Sequence, residues 1–264
     1  MIVSTPSGAV GLDAAGAGEP MLLLHGFPLD RTLWAPQLAS PIPGVRTIAP
    51  DLPGYGDSAF VDVPSLDAWA DWLAELLDTL RLNRVILGGL SMGGYLCFAF
   101  WRRHPERVRA LVLADTKAGA DSEEARGKRL EMRALAGDRG AAAVAEKMLP
   151  GMVGKTTRNS RPEVVALLET MMGRASVRAV QESLDILRQR PDSIATLGTI
   201  DVPTLILCGE EDVLTPVAES RSMHLAIPHS ELALIPAAGH ASNVESPVVF
   251  NSLLAGFVSA NIGG

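Results

Sequence analysis

The sequence VILGGLSMGG occupies residues 85–94 and contains the most informative turn in the chain. It opens with an apolar run typical of a buried strand, and it leads into Met92–Arg103, which is apolar almost all round, as in a buried helix. Ser91 therefore stands in a Gly-x-Ser-x-Gly pattern at a sharp turn from strand to helix. Gly89 and Gly93 lack the side chains that would collide there. The pattern predicts a serine hydroxyl held above a sheet edge, beside a helix N-terminus that favours negative charge.

Short apolar runs alternate with longer segments of helical period on both sides of this turn, which predicts an α/β fold with a mostly parallel sheet. The runs are continuously apolar, as expected of strands covered on both faces. The predicted strands are 21–24, 45–49, 84–87, 110–114, 204–208 and 231–235, after a first hairpin around 2–5 and 10–14. The predicted helices outside the central block are 65–80 with Ser65 as N-cap, 92–103, 215–226 and 246–258.

The block 117–198 breaks this alternation, because it has helical segments and no convincing strand. Its predicted helices are 122–136, 141–149, 162–172 and 177–190. A block this long is not a connecting loop, so we interpret it as a helical cap inserted over one edge of the sheet. The core domain would then comprise 1–116 and 199–264. The alternative is that these segments are ordinary crossover helices.

Composition limits the class of protein. A chain of 264 residues with 47% hydrophobic and 20% charged residues can bury one large core without metal or disulfide support, and it is not intrinsically disordered. The 23 basic and 30 acidic residues give a formal net charge of −7, which argues against a nucleic-acid partner.

The cysteines and the N-terminus point to a cytoplasmic protein. Cys97 and Cys208 lie far apart in apolar runs, which is typical of buried thiols and not of a disulfide framework. The first ten residues lack the features of a signal peptide, and no apolar stretch approaches the length of a membrane span. We expect no membrane partner, and the sequence leaves a homo-oligomer possible.

A serine nucleophile needs a base that removes its proton and an acid that orients the base. His240 follows the predicted strand 231–235 after a short loop, which brings it to the same sheet edge as Ser91. The histidines at His104, His224 and His229 have surface character. His240 is therefore the candidate base.

The orienting acid should follow a strand that lies between Ser91 and His240 in the chain. Asp212 comes shortly after the predicted strand 204–208, and its short carboxylate can reach across the strand ends. We therefore select Asp212. The alternatives are Glu210, Glu211 and Asp115.

Acyl transfer also needs two donors for the oxyanion, each contributing about 3–4 kcal/mol to transition-state stabilisation. The backbone N–H of Met92, directly after the nucleophile, is one candidate. The other is the N–H of Phe27, because Gly26 permits a tight turn after the first buried strand. His25 precedes this turn and is interpreted as a residue that anchors the loop, although it is also a candidate pocket residue.

The motifs HGFP at 25–28, DLPGYGDS at 51–58, GLSMGG at 89–94, GEED at 209–212 and GH at 239–240 together resemble the α/β-hydrolase superfamily. Within it, the chain is similar to the bacterial branch of esterases, 3-oxoadipate enol-lactonases and cofactor-free haloperoxidases (perhydrolases). The resemblance spans nearly the whole chain. It implies an eight-stranded, mostly parallel sheet flanked by helices, with a helical cap between strands six and seven.

Carried over by residue, the resemblance implies Ser91 as nucleophile, His240 as base and Asp212 as acid, with the amides of Phe27 and Met92 as oxyanion hole. The loop has HGF where some esterases have HGGG, which suits a smaller and less open acyl pocket. The nucleophile is serine and not aspartate, which disfavours haloalkane dehalogenase and epoxide hydrolase chemistry.

These residues lead to a hypothesis: a serine hydrolase of a small carboxylic ester or lactone, working through an acyl-enzyme and without a cofactor. Candidate pocket residues in the cap are Met148, Met152, Met171 and Met172, and packing of these methionines in a core is an equal alternative. Other chemistry on the same residues is enol-lactone opening, C–C bond hydrolysis or perhydrolysis. A different class is a non-catalytic hydrolase-fold protein that binds a small molecule.

Two other kinds of site are disfavoured. The sequence GYGDSA at 54–59 fits a dinucleotide fingerprint, but no helix starts at 60–64 to receive the phosphates, so a loop that shapes the sheet edge is the better interpretation. The histidines are scattered, and the sequence has neither His-x-x-x-His nor Cys-x-x-Cys, so we expect no metal site.

Overall fold

Eight strands form one sheet in the computed structural model, which describes residues 1–62 and 64–261. The strands are β1 Ile2–Thr5, β2 Gly8–Gly16, β3 Glu19–Leu24, β4 Val45–Pro50, β5 Val85–Leu90, β6 Val108–Ala114, β7 Thr204–Gly209 and β8 Ser230–Ile235. Their order is β1-β2-β4-β3-β5-β6-β7-β8. β2 runs antiparallel to β1 and β4, and the pairs from β4 to β8 are parallel. The predicted mostly parallel, eight-stranded sheet is confirmed.

Helices cover both faces of this sheet. They are α1 Ala35–Leu38, α2 Leu66–Thr79, α3 Met92–Arg103, α4 Glu123–Arg139, α5 Ala141–Met152, α6 Lys155–Ser160, α7 Pro162–Gly173, α8 Val177–Gln189, α9 Ile194–Leu197, α10 Val217–Ala226, α11 Ser242–Glu245 and α12 Pro247–Asn261. Short 3₁₀ helices occupy Arg31–Trp34 and Pro105–Arg107. Two apolar clusters fill the space on either side of the strands. Within the described residues, no helix combines the length and the apolar character that crossing a membrane requires.

The sheet centre is apolar because its strands are covered on both faces. All six residues of β5 and all six of β7 are buried, as their continuous apolar character predicts. Both cysteines are also buried and unpaired. α2 begins where its N-cap predicts, since the Ser65 hydroxyl accepts a hydrogen bond from the Ala68 N–H at 3.2 Å.

The cap region lies between β6 and β7 and consists of helices α4 to α9. Short helices α6 and α9 were not predicted, because four to six residues carry too little periodicity to be recognised. α10 was predicted to begin at Thr215 but begins at Val217. The reason is that the Thr215 backbone and hydroxyl are bonded to Asp212 instead of forming a first helical turn.

Candidate active site

The turn between β5 and α3 holds Ser91 in an unusual conformation. Its φ of 54° and ψ of −111° lie outside the regions that residues with a side chain normally occupy, at a cost of about 1–3 kcal/mol. β6 and the segment after it hold the turn in place: the Ser91 N–H donates to the Ala114 carbonyl at 2.9 Å, and the Thr116 hydroxyl donates to the Ser91 carbonyl at 2.8 Å. The hydroxyl of Ser91 has no hydrogen-bond partner among the described residues and lines a cavity.

Two glycines permit this turn because strand and helix nearly touch. A Cβ on Gly89 would lie 2.2 Å from the carbonyl carbon of Gly93. A Cβ on Gly93 would lie 2.3 Å from the carbonyl oxygen of Leu24. Both distances are far below van der Waals contact, so neither position has room for a side chain.

The loops after β7 and β8 bring together an acid and a base. His240 Nδ1 lies 2.8 Å from Asp212 Oδ2, and both side chains are buried. The Thr215 hydroxyl donates to Oδ2 at 2.6 Å, while the N–H groups of Leu214 and Thr215 donate to Oδ1 at 2.8 and 3.0 Å. Both oxygens of the Asp212 carboxylate are therefore held by hydrogen bonds. The carboxylate in turn favours the His240 tautomer with Nδ1 protonated and Nε2 available as a base.

Asp212 and His240 shift each other's pKa in opposite directions. Burial alone would raise the pKa of Asp212, but the charge and hydrogen bond of His240, with the bonds from Thr215, hold it below its usual range. Burial would lower the pKa of His240, but the charge and hydrogen bond of Asp212 outweigh it and raise that pKa above 6.5. An imidazolium formed during a reaction would therefore be stabilised here.

The alternative acids occupy other environments. Glu211 accepts hydrogen bonds from the Thr156 N–H and hydroxyl in the cap, at 2.8 and 2.6 Å, and Glu210 is exposed. Asp115 is buried behind the pair, where its carboxyl accepts hydrogen bonds from the Gly209 N–H at 2.8 Å and from a serine hydroxyl. Burial, together with the nearby charge of Asp212, holds the pKa of Asp115 well above its usual range.

One group of described residues has metal-ligand character. Donor atoms of Asp115, Cys208 and Asp212 lie within 4.8 Å of one another. Every carboxylate oxygen of the two aspartates already accepts a hydrogen bond. Burial, followed by the charge of Asp115, raises the pKa of the Cys208 thiol to about 12, so it stays protonated. The donor set therefore suits hydrogen bonding within the protein better than metal coordination.

The two predicted oxyanion donors lie on the same cavity as Ser91. Phe27 and Met92 both line it. Within the described part of the chain neither backbone N–H has a hydrogen-bond acceptor, so both are available to a ligand. The loop that carries Phe27 passes close to the nucleophile, because a Cβ on Gly26 would lie 3.3 Å from the Ser91 Cβ.

A cavity of about 360 Å³ surrounds Ser91 and lies partly under the cap. His240, Met148 and Met152 are on its wall. Its other lining residues are Tyr95, Lys117, Asp121, Ala125, Lys128, Arg129, Met132, Leu184, Leu187, Val213, Leu214 and Thr215, besides Phe27 and Met92. Its volume is that of a site for a small molecule.

Three candidate pocket residues lie elsewhere. Met171 and Met172 are buried in the apolar cluster that contains α5 and α7, so their expected place on the pocket wall is wrong. His25 also does not line the cavity. Its Nε2 accepts a hydrogen bond from the Leu52 N–H at 3.0 Å, and its ring packs edge-on against Tyr55 with the ring centroids 5.1 Å apart. His25 anchors the loop.

Glu245 is a site residue that the sequence reasoning missed. Its buried carboxylate accepts the N–H groups of Gly154 at 2.8 Å, Gly239 at 2.9 Å and Ala241 at 3.3 Å. It therefore ties the cap to the loop that carries His240. Burial raises its pKa above the usual range despite these bonds. The available signal was a carboxylate five residues after His240, in a segment of small and apolar residues.

The loop 51–58 has a structural role. The Asp51 carboxylate accepts hydrogen bonds from the Arg31 N–H and from the Asp57 N–H, at 2.8 and 2.9 Å, and it forms an ion pair with the Arg31 guanidinium. A Cβ on Gly56 would lie 2.1 Å from Asp51 Oδ2. The next helix, α2, starts only at Leu66, so the glycines of this loop do not lead into a helix N-terminus.

A larger open groove of about 830 Å³ lies at the opposite end of the sheet, near Arg84, Trp101 and Thr199. The catalytic candidates are absent from the residues found to line it. The candidate nucleophile and the candidate base both line the smaller cavity.

Several known proteins share this fold. The family model described as the alpha/beta hydrolase fold matches residues 19–247. An esterase from Thermogutta terrifontis, solved with malate bound, is 35% identical with a TM-score of 0.92, and 98% of each chain is covered. The enol-lactonase of Burkholderia xenovorans LB400 is 23% identical with a TM-score of 0.90, covering 98% of this chain and 100% of its own.

A curated relative extends the range of neighbours. The 2-hydroxymuconate semialdehyde hydrolase of Pseudomonas sp. strain CF600 is 30% identical over 94% of this chain and 89% of its own. The family model and the 35% identical esterase confirm the predicted resemblance to the α/β-hydrolase superfamily and its esterases, and the enol-lactonase shares the fold.

Proposed function

The chain belongs to the alpha/beta hydrolase fold family, and within it we propose that this protein is a serine hydrolase of small carboxylic esters or lactones. The observation that carries the proposal is the 2.8 Å contact between His240 Nδ1 and Asp212 Oδ2 on a cavity that also exposes Ser91. The esterase and enol-lactonase among the structural neighbours support the same class of reaction.

The first half of the reaction forms an acyl-enzyme. Ser91 Oγ attacks the substrate carbonyl carbon while His240 Nε2 takes the hydroxyl proton. The carbonyl oxygen gains negative charge, and the N–H groups of Phe27 and Met92 stabilise it. When the tetrahedral intermediate collapses, the imidazolium gives its proton to the leaving alkoxide. The alcohol departs, or in a lactone stays joined to the acyl group.

The second half releases the acid. His240 Nε2 takes a proton from water, and the hydroxide attacks the acyl carbon. Collapse of the second intermediate breaks the bond to Ser91 Oγ, which recovers its proton from the imidazolium. Throughout, Asp212 keeps the imidazole oriented and stabilises its charged form.

Replacement of the nucleophile tests this proposal. Ser91→Ala should lower kcat/KM for 4-nitrophenyl hexanoate by roughly 10⁴-fold or more, with the far-ultraviolet circular dichroism unchanged. Ser252→Ala, at an exposed serine of α12, is the matched control and should retain full activity. Turnover that survives in Ser91→Ala would refute the proposal.

Covalent labelling distinguishes an enzyme from a non-catalytic binding protein of the same fold. A fluorophosphonate reacts with an activated serine, so labelling of the wild-type protein at Ser91 is expected. It should drop sharply in His240→Ala and persist in His229→Ala, which removes an exposed loop histidine. No labelling of the wild type would favour the non-catalytic alternative.

A further inference from the structure

The end of β6 lies directly beside the nucleophile. The Ala114 carbonyl accepts a hydrogen bond from the Ser91 N–H at 2.9 Å, and the Thr116 hydroxyl donates to the Ser91 carbonyl at 2.8 Å. Asp115 stands between these two residues in the chain, and the acyl-transfer reaction makes no direct use of it. Its side chain is completely buried and is absent from the residues that line the cavity around Ser91.

The Asp115 side chain joins the two loops that carry the acid and the base. Its Oδ1 accepts a hydrogen bond at 2.8 Å from the N–H of Gly209, which ends β7 three residues before Asp212. Its Oδ2 accepts one from the hydroxyl of Ser242, two residues after His240. Both donor residues are buried. One side chain therefore connects the end of β7 and the loop after β8 to the strand that supports the nucleophile.

The backbone of Asp115 has an unusual conformation where it makes these contacts. Its φ is 44°, in the left-handed region, which costs free energy for a residue with a side chain. The Asp115 N–H still donates to the Leu207 carbonyl at 2.9 Å, so the pairing of β6 with β7 continues up to this residue. Such a conformation persists only where surrounding contacts hold it, and it is found most often at functional sites.

The surroundings of Asp115 favour the uncharged acid. One of its carboxyl oxygens lies within 4.8 Å of one on Asp212, and two carboxylates this close resist being charged together. The charge is stabilised better on Asp212, which contacts His240 and accepts three further hydrogen bonds. Among the described residues, the donors to Asp115 are one backbone N–H and one neutral hydroxyl. Burial, followed by the charge of Asp212, raises the pKa of Asp115 well above its usual range.

We propose that Asp115 is a positioning residue of the hydrolase: as an uncharged acid it joins the loops of Asp212 and His240 to the end of β6. That strand end also supports the nucleophile, so the three parts of the site share one attachment. Asp115 does not line the cavity, and it therefore acts through the acid–base pair and not on the substrate. The inference rests on the proposed function, because the pair that Asp115 positions serves that reaction.

Two substitutions at Asp115 test this role. Asp115→Gly removes the carboxyl, and glycine adopts a φ of 44° without strain. Asp115→Asn keeps both contacts, because its oxygen accepts from Gly209 and its NH₂ group donates to the Ser242 oxygen. For 4-nitrophenyl hexanoate, kcat should fall about 10²-fold in Asp115→Gly with KM unchanged, since the loops shift while the cavity wall stays in place. Asp115→Asn should restore most of the lost kcat.

The pH profile separates positioning from a purely structural role. The titratable groups that face His240 are Asp212, Asp115 and Glu245. Those that face Asp115 are Asp212, His240 and the Cys208 thiol. In Asp115→Gly the bond between His240 and Asp212 loosens, so the acidic limb of kcat/KM should move to lower pH. In Asp115→Asn it should stay at the wild-type value, because no charge is lost. A limb that moves in both variants, or in neither, overturns the proposal.

Ser242→Ala tests the same connection even where Asp115→Gly fails to fold. It removes one of the two bonds and leaves the end of β6 unchanged. The kcat should fall about tenfold, and the acidic limb should again move to lower pH. Asp201→Asn and Ser252→Ala, at exposed residues, are the matched controls and should leave both quantities at wild-type values. Wild-type kcat in Ser242→Ala would overturn the proposal.

Proton NMR gives a readout that needs no turnover. The His240 Nδ1 proton, bonded to Asp212, should give a far-downfield resonance that disappears in Asp212→Asn. It should persist in Asp115→Asn and be lost through exchange with water in Asp115→Gly. A resonance that survives in Asp115→Gly overturns the positioning role, whether or not esters are hydrolysed. The expected pattern in a protein that leaves 4-nitrophenyl hexanoate intact instead refutes the proposed function and supports the positioning role.

Discussion

His240 donates a hydrogen bond from Nδ1 to Oδ2 of Asp212 over 2.8 Å, and both side chains are almost completely buried. Residues 28 positions apart are joined because β7 and β8 are parallel neighbours whose carboxyl ends meet at one edge of the sheet. The contact depends on the charge of Asp212, and that dependence can be measured.

Asp212→Asn should lower kcat/KM for 4-nitrophenyl hexanoate by about 10⁴-fold, because an amide cannot hold the imidazole in the reactive tautomer. Glu210→Gln changes an exposed carboxylate in the same loop and should have no effect. A steady-state assay of both variants at pH 8 checks this. Equal activity of Asp212→Asn and wild type would mean that another carboxylate orients His240.

The pH dependence follows from the raised pKa of His240. The base must be neutral to act, so kcat/KM for the uncharged hexanoate ester should fall with decreasing pH through a value above 6.5. In Asp212→Asn the negative charge that raises this pKa is gone, so the limb of the residual activity should move to lower pH. A wild-type limb below pH 6.5 would contradict the arrangement.

The same shifts affect stability with opposite signs. Because the folded pKa of His240 is raised, its contribution is complete below pH 6.5 and is lost as the pH rises through the folded value. The pKa of Asp212 is lowered, so its contribution is present above 3.8 and is lost as the pH falls through the folded value. Urea unfolding across this range should show both slopes diminished in Asp212→Asn.

Glu245→Gln tests the tie between the cap and the His240 loop. The two oxygens of the carboxylate accept hydrogen bonds from three backbone N–H groups. An amide keeps only one of these oxygens, and its NH₂ group would face backbone N–H groups that are themselves donors. The free energy of unfolding should fall by about 1–3 kcal/mol and kcat should fall with it. Urea titration and kcat on the hexanoate ester measure the two effects.

Glu169→Gln is the control for this change, since it alters an exposed carboxylate on α7. It should leave the unfolding midpoint and kcat at wild-type values. If Glu245→Gln behaves like Glu169→Gln, the three hydrogen bonds do not hold the loop in place.

The strand, the turn and the helix around Ser91 could be predicted because their signals are local. The apolar run 84–87 and the glycines on either side of Ser91 predict a strand, a turn and a helix within twenty residues. The loop after β8 carries His240 to the same edge, so the pairing of the base with a strand-end acid also follows from topology. These features depend on which residues are neighbours along the chain or along the sheet.

Contacts that depend on packing between distant segments were less accessible. The period of α7 identifies Met171 and Met172 as apolar-face residues, but periodicity does not say whether that face meets a cavity or a core. Glu245 looks like an ordinary surface carboxylate in sequence, and its role appears only when the cap residue Gly154 lies against the His240 loop.

Gly93→Ala should abolish the turn that presents Ser91. The added Cβ would lie 2.3 Å from the Leu24 carbonyl oxygen, and the backbone of β3 cannot retreat without breaking its pairing with β5. We expect a loss of about 3 kcal/mol or more in the free energy of unfolding, with activity lost because the nucleophile is displaced. Gly127→Ala provides the matched comparison, since Gly127 lies in α4 and a Cβ there meets no atom within 4 Å among the described residues. Because alanine favours a helix more than glycine does, this change should raise the free energy of unfolding by about 0.5–1 kcal/mol. Urea unfolding of the two variants measures the loss and the gain in the free energy of unfolding. A Gly93→Ala protein as stable as wild type would contradict the close approach of Gly93 to Leu24.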